Sequence, residues 1–374
     1  MNVNKILEKI EDNGFEAYIV GGYVRDFILG IESTDIDICT NAKVKEILDI
    51  FSDIDVTSNE YGSVKMITNN AKIDITTYRR DLKYNGSRRK VEMEYVDNLI
   101  DDIQRRDFTM NTLCMSKEGN IIDVLGGKKD IEDKIVRCVG DINERINEDP
   151  LRMLRAVRFA TVLGFKVEEN LYDELKNNKE LLETLSMERI KEELTKILIH
   201  KNAIKGLDYL RRLGFLPYLG IEFDQIVNVP DVTGMYSQLT FTKEYPFSKE
   251  EKYNIDSVKA ILEYGEINKE ILFNYGLYLS LVAGSILGIS KEYITELDKK
   301  VSIRHIKDID LKSDEICDIL GIEPGKVISE VYSELKIKIL RDELVNTNEV
   351  LRKYVIDNRK KWLHEGDSKK GFNF

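Results

Sequence analysis

Two aspartates in the stretch TDIDICT, Asp35 and Asp37, alternate with the apolar residues Ile36 and Ile38. On an extended strand this spacing puts both carboxylates on one face. Like charges placed so closely repel, so the face is either solvated or holds a metal ion. Asp74, in KIDITTY, shows the same alternation. It is either a third carboxylate of the cluster or a strand-end group facing water. Upstream, Gly21 and Gly22 close an apolar strand and open a helix that carries Arg25 one turn on. Backbone N–H groups at such a helix start can approach a phosphate, although a glycine pair also serves plain tight turns. Arg25 and Asp26 can equally form an ordinary surface ion pair. A hard cation such as Mg²⁺ is held by one or two carboxylates together with substrate phosphates. A pair of such ions can activate an attacking hydroxyl and stabilise a leaving oxygen. The combination points to phosphoryl transfer, with Asp35 and Asp37 as metal ligands.

A second constellation lies in EDPLRMLRAVRF. Glu148, Asp149 and Arg152 open a helix on which Arg155 and Arg158 follow at steps of three, spiralling along one broad face. Leu151, Leu154 and Phe159 mark another face for burial. A solvated basic face paired with acids would account for the arginines; nucleotide recognition is the other reading. An aspartate accepts a hydrogen bond from an exocyclic amine, and a guanidinium donates to ring nitrogens or carbonyls. Cytosine and adenine each show an amine beside a ring acceptor, whereas guanine and uracil show a carbonyl beside an N–H. Asp149 and Arg152 together can therefore admit C and A and refuse G and U without a nucleic-acid template. In RRDFTMN, Asp107 sits where an N-cap would, with Thr109 in the first turn.

These residues need a scaffold of mixed type. Periodicity predicts a helix over 3–12, a strand over 17–20, a helix over 24–29, the strand bearing Asp35 and Asp37, and a helix over 43–51. Further strands fall near 64–68, 71–77 and 91–95. The intervening RRDLKYNGSRRKVEM reads as a loop with basic residues Arg79, Arg80, Lys83, Arg88, Arg89 and Lys90 and a turn at Asn85-Gly86. Beyond about residue 143, helical periodicity dominates, without a Gly/Ser-rich linker. The expected organisation is an α/β head (1–142), a helical neck (143–220) and a helical body and tail (221–374), with a polar end HEGDSKKGFNF that frays. The 374 residues suffice for two or three cores. The opening MNVNKILEKIEDNGF reads as a charged amphipathic helix rather than a signal peptide, and no run of about 18 apolar residues marks a membrane span. Four dispersed cysteines and three histidines argue against disulfides or zinc and for a reducing cytosol. A net charge of −11 excludes whole-surface nucleic-acid binding but permits a local basic groove.

GGYVRDFILGIESTDIDICT resembles the first signature of the class II tRNA nucleotidyltransferase and bacterial poly(A) polymerase superfamily. RRDFTMN resembles the second signature, DVLGGKKDIEDKIVR the third, EDPLRMLRAVRF the nucleotide-templating helix, and SMERIKEELTKIL the RNA-side helices. The resemblance implies an α+β fold, a polymerase-β-like nucleotidyltransferase head followed by helical neck, body and tail. It implies addition of C, C and A to a tRNA 3′ end from CTP and ATP, with Mg²⁺ on Asp35 and Asp37. It further implies that Gly22, Arg25 and Arg106 meet the nucleotide, Asp107 the ribose 2′-hydroxyl, and Arg155 and Arg158 the triphosphate or base edge. Tyr84 and GSRRK would form the loop that helps the site switch from C to A addition. The tail segment from Asp314 is similar to that of bacterial CCA-adding enzymes, with Ser313 where a glycine is usual. No His-Asp phosphohydrolase domain is expected from the scattered His200, His305 and His364. Alternatives are a poly(A) polymerase, an A-adding or CC-adding specialist, and a non-catalytic RNA-binding relative. The last would be expected to lose Asp35 or Asp37.

Overall fold

The computed structural model describes residues 3–52, 56–58, 62–67, 72–81 and 93–363. The chain forms two compact units: Met1–Asp224 with Thr240–Pro246, and Gln225–Leu239 with Phe247–Phe374. The first opens with α1 (Val3–Glu11), whose Ile6, Leu7 and Ile10 are spaced to face inward and are fully buried. There follow β1 (Ala17–Val20), α2 (Gly22–Leu29), β2 (Asp35–Thr40), α3 (Val44–Ile50), β3 (Val56–Ser58), β4 (Ser63–Ile67) and β5 (Lys72–Thr77). Next come β6 (Arg79–Asp81), β7 (Met93–Tyr95), α4 (Leu99–Gln104), β8 (Cys114–Met115) and β9 (Ile121–Ile122).

Seven of these strands make one mixed sheet in the order β3-β4-β5-β2-β1-β8-β9. Only β2 and β5 run parallel; the chain between them crosses over through α3, β3 and β4. Their register sets Asp35 beside Lys72 and Asp37 beside Asp74. The alternation read from TDIDICT holds: Ile36 and Ile38 are buried and the two aspartates face out. Burying a side chain such as Ile38 contributes about 1.5–3 kcal/mol, which fixes the strand's register and with it the carboxylates. Further along the carboxylate side, Cys39 joins Val20, Cys114, Tyr78 and Ile103 in a dry cluster.

The segment read as a loop after Thr77 departs from expectation at its start. Arg79–Asp81 is a strand, paired antiparallel with Met93–Tyr95, and Arg80 bonds Asp101 on α4. Charged side chains hid it, because an exposed two-strand ribbon needs little apolar content. The centre of that segment, Tyr84 and Gly86 to Lys90 included, lies outside the described residues, as does the end beyond Leu363.

The rest of the first unit is mainly helical: α5 (Gly127–Glu132), α6 (Ile142–Glu148), α7 (Leu151–Leu163), α8 (Glu169–Asn177), α9 (Met187–Leu198), α10 (Ala203–Arg212) and α11 (Leu216–Leu219). Two short strand pairs interrupt it, β10 (Ile135–Val136) with β11 (Lys166–Val167), and β12 (Ile221–Glu222) with β13 (Thr240–Phe241). The second unit holds α12 (Val232–Ser237), α13 (Lys249–Tyr264), α14 (Lys269–Leu287), α15 (Lys291–Lys299), α16 (Ser313–Leu320), α17 (Lys326–Leu340) and α18 (Asn348–Asp357). By length and mean hydropathy α14 could cross a membrane, a candidate that the reading for apolar runs did not register. Its Ile271, Leu272, Leu279, Val282 and Ala283 are buried in the unit's own core, and Gly276 breaks its helical backbone.

One close approach gives a test of the fold. Gly127 packs α5 against the backbone of Thr109, and a Cβ there would collide with the Thr109 carbonyl oxygen. Gly127→Ala should destabilise the first unit by about 1–3 kcal/mol, the usual cost of overpacking a tight site. Urea unfolding of the variant should show a lower midpoint at an unchanged slope.

Candidate active site

β1 ends at Gly21, whose φ of 79° lies in the left-handed region. A Cβ at this residue would come within 3.4 Å of Arg106 Nη1 and 3.7 Å of Asp37 Oδ2. Of the glycine pair, Gly21 takes the left-handed turn and Gly22, read from the sequence as a nucleotide contact, starts α2 and lines the cleft. One turn on, Arg25 is buried rather than displayed on the surface. Its Nη1 donates to Asn111 Oδ1 at 2.7 Å, and its Nε and Nη2 donate to Asp26 Oδ1 at 2.9 and 2.7 Å.

Asp35 and Asp37 line the same cleft, of about 610 Å³, that Gly22 and Arg25 line. Asp74 does not line it, but stands beside Asp37 in the sheet. Surrounding protein partly desolvates Asp37 and raises its carboxyl pKa; Arg106 opposes this, while Asp35 and Asp74 add to it. Asp74 Oδ1 is buried without a hydrogen-bond partner, and its other oxygen has Lys65 Nζ at 4.0 Å. Crowded, under-neutralised carboxylate oxygens suit a hard divalent cation. No three acidic, His or Cys side chains form a closed ligand cage among the described residues. A cation here would be held by Asp35 and Asp37 and would complete its shell from water and substrate oxygens.

The facing wall is cationic. Asp102 on α4 is fully buried and accepts from Arg105 (Nε 2.8 Å, Nη2 2.7 Å) and from Arg106 Nη2 at 3.0 Å. Burial opposes its charge, but Arg106 and Arg105 outweigh burial and hold the carboxyl below its usual pKa. Asp107 does not cap a regular helix, since a single 3₁₀ turn follows at Thr109–Asn111. Its Oδ1 accepts from Phe108 N and Asn111 Nδ2, and its Oδ2 from Arg155 Nε at 2.7 Å. Burial again works against the charge, and Arg155 leads the partners that pull its pKa down.

α6 and α7 bring the remaining groups. Arg145 donates to the backbone carbonyls of Arg105 and Arg106 and pairs with Glu148. Arg152 donates to Arg145 O at 2.6 Å, Glu148 Oε2 at 2.9 Å and Arg105 O at 3.2 Å. Asp149, the residue before Pro150, accepts from Arg189 Nη2 on α9 at 3.0 and 3.1 Å. Arg158 lies in ion-pair range of Glu193 (Nε–Oε2 2.8 Å), off the line that a hydrogen bond needs. Phe159 is 8% exposed and meets Phe108 edge to face, as its place on the apolar stripe predicts.

One cleft thus gathers Gly22, Arg25, Asp35, Asp37, Arg106, Asp107, Asp149, Arg152, Arg155 and Arg158, separated by as many as 136 positions in sequence (158 − 22). Sequence reasoning missed Asp102, Asn111, Arg145 and Arg189. Asp102 had a local signal, standing three and four residues before two arginines at a helix end. Arg189 had none, because its partner lies forty residues earlier.

Residues 17–137 match the family model described as the poly A polymerase head domain, and 164–225 that of a probable RNA and SrmB-binding site of polymerase A. Residues 234–355 match a putative tRNA nucleotidyltransferase domain 2. Together these place the chain among the nucleotidyltransferases of that fold. The CCA-adding enzyme of Ligilactobacillus salivarius is 32% identical, with 96% of each chain covered. That of Staphylococcus haemolyticus is 31% identical over 95% of this chain and 97% of its own. The chain belongs to the CCA-adding enzyme family. In fold it is similar to the Bacillus stearothermophilus CCA-adding enzyme solved with CTP, at a TM-score of 0.84 and 24% identity over 96% of this chain and 97% of that one.

The crowding of Asp37 has a consequence for stability. A carboxyl whose pKa is raised in the fold is less favourable ionised there than in the unfolded chain. Its penalty is absent below the ordinary carboxyl pKa and complete once pH has risen past the raised one. At pH 7 without divalent cations, Asp37→Asn should therefore melt above the parent protein. Calorimetry should show the difference vanish near about pH 3, where the carboxyl is protonated in both states.

Proposed function

We propose that the chain adds C, C and A in turn to the 3′ end of a tRNA, consuming CTP and ATP and releasing pyrophosphate. The observation that carries this reading is that one cleft holds both the carboxylate pair and the Asp149/Arg152 pair. The first marks where phosphoryl chemistry occurs and the second where a base edge can be read. Proteins of similar fold support it: one is a CCA-adding enzyme in complex with CTP, another the Thermotoga maritima CCA-adding enzyme complexed with tRNA.

In the reaction the terminal ribose hydroxyl attacks the α-phosphorus in line, the bond to the bridging oxygen breaks, and pyrophosphate leaves. Asp35 and Asp37 would hold the metal beside the triphosphate, while Arg25, Arg155 and Arg158 neutralise the triphosphate oxygens. Mg²⁺, bound with substrate, would supply the charge that favours the alkoxide and the leaving oxygen. Arg106 meets the nucleotide, and Asp107, held by Arg155 and Asn111, is placed for the ribose. Asp149 accepts from the amine of C or A, and Arg152 donates to the adjacent ring acceptor. The contacts of Asp149 with Arg189 leave lone pairs on both carboxylate oxygens for this purpose. Asp74 is a supporting carboxylate of the same cluster. Residues 1–142 form the catalytic head, 143–220 the templating neck, and 221–374 a tRNA-binding body and tail that grips the acceptor and T-arm backbone. Four free thiols fit action in a reducing cytosol.

Incubation with tRNA lacking its 3′ end, with each NTP alone and with all together, should yield C, C and A in that order. A long A tract would indicate a poly(A) polymerase, and a single A or a C-C stop a specialist. Asp35→Ala or Asp37→Ala should lower turnover by several orders of magnitude with tRNA affinity nearly unchanged, because Lys and Arg contacts to phosphates dominate it.

Asp149→Ala should lose selectivity rather than rate alone. An unmade buried hydrogen bond costs about 1–3 kcal/mol, and the repulsion that excludes U and G disappears at the same time. Discrimination measured as kcat/KM for the four NTPs should fall by roughly one to four decades. A uniform loss across all four would show that α7 is only a scaffold.

A further inference from the structure

Three guanidinium groups of the cleft converge on one aromatic ring. The guanidinium carbons of Arg158, Arg25 and Arg155 lie 4.1, 5.1 and 5.4 Å from the centroid of Phe159. Arg25 comes from α2, beside the carboxylate strand, and the others from α7. Each has an acidic neighbour of its own: Asp26 for Arg25, Asp107 for Arg155 and Glu193 for Arg158. Arg158 is held below the usual arginine pKa by burial first, against Glu193, and then by Arg155 and Arg25. Phe159 itself makes an edge-to-face contact with Phe108 at 5.7 Å.

We infer that Phe159 is a positioning residue: its ring face gathers Arg25, Arg155 and Arg158 into a cradle for the triphosphate of the incoming nucleotide. The face of an aromatic ring carries partial negative charge and attracts cations without forming a directional bond or consuming their N–H donors. An additional carboxylate in its place would neutralise the arginines and repel phosphate. The ring holds the cations together and leaves their positive charge for the ligand. Arg25 reaches the same ring from the sheet side, so Phe159 also sets the distance between the phosphate-binding arginines and the carboxylates Asp35 and Asp37.

The inference rests on the reading of the cleft as a nucleotide site, and its test is built to fail separately from that reading. Phenylalanine at position 159 is replaced by mono-, di- and trifluorophenylalanine, which keep the ring's shape while draining its face of negative charge. Kd for inorganic tripolyphosphate and for CTP is measured by calorimetry, with KM for CTP and ATP alongside. Both affinities should weaken stepwise with fluorine content, by about tenfold in all, as expected for losing cation–π contacts in a partly desolvated site. kcat, thermal midpoint and the preference for C and A over U and G should stay near those of the parent. Phe159→Leu should resemble the most fluorinated ring. A flat series, or an effect of Phe159→Leu alone, would overturn the inference, since Phe159 would then act by packing. So would a parent protein that binds no tripolyphosphate. A stepwise loss of tripolyphosphate affinity in a protein that adds no nucleotide would keep the cradle and overturn the proposed function.

Discussion

A buried carboxylate survives in a protein only where opposite charge and hydrogen bonds replace the water it has lost. Asp107 is the place where this constraint organises the molecule. Its two oxygens are claimed by Phe108 N, Asn111 and Arg155, the last lying 48 positions downstream on α7. Asn111 in turn accepts from Arg25 on α2. The glycine-turn helix α2, the RRDFTMN motif and α7 are therefore joined through one ionised side chain. Arg145 and Arg152 strengthen the join by donating to the carbonyls of Arg105 and Arg106, the residues just before Asp107. The strands supply the carboxylates, and this polar knot ties the arginines of α2 and α7 to one another.

The two walls of the cleft solve opposite problems. On the sheet side, negative groups are left short of partners, as the lone Asp74 oxygen and the raised Asp37 pKa show. On the helix side, arginines outnumber their acids: Asp102, Asp107, Glu148 and Glu193 together steady the six guanidinium groups of Arg105, Arg106, Arg145, Arg152, Arg155 and Arg158. The asymmetry suits the proposed function: a cation arriving with substrate would settle the carboxylates, whereas the arginines are already held in place by their acids. Preorganised charge of this kind spares the protein reorganisation during the reaction.

Much of this was legible in the chain. The period of two in TDIDICT fixes which face carries Asp35 and Asp37, because burying Ile36 and Ile38 leaves no other register. Helical spacing likewise marks Leu154 and Phe159 of α7 for burial, although Leu151 stays half-buried and Arg152 is buried with them. What stayed hidden depends on distance or on weak local signals. Asn111 and Arg189 are polar residues whose partners lie 86 and 40 positions away, and no periodicity encodes such pairs. β6 was missed because its side chains are Arg79, Arg80 and Asp81, and β8 and β9 because they are two residues long. The glycine pair was legible as a strand-to-helix turn, but sequence does not say that Gly21 is the member with the left-handed backbone. Phe159 was placed correctly as a core residue, yet its contact with three cations could be seen only once the chain was folded.

The cysteines have one more implication. Cys39, Cys114 and Cys138 are buried around the sheet and the motifs that line the cleft, while Cys317 on α16 is partly exposed. Burial pushes the Cys39 thiol well above its ordinary pKa, and it pushes Cys138 up to about 11 despite nearby arginines. A thiol-directed reagent meets thiolate only where solvent and ionisation coincide. In the folded protein such a reagent has one ready target, Cys317, in the second unit. The other three become reactive only when the first unit opens. The chain therefore carries its own clock for breathing of the first unit, read by how slowly the last three sulfurs are labelled.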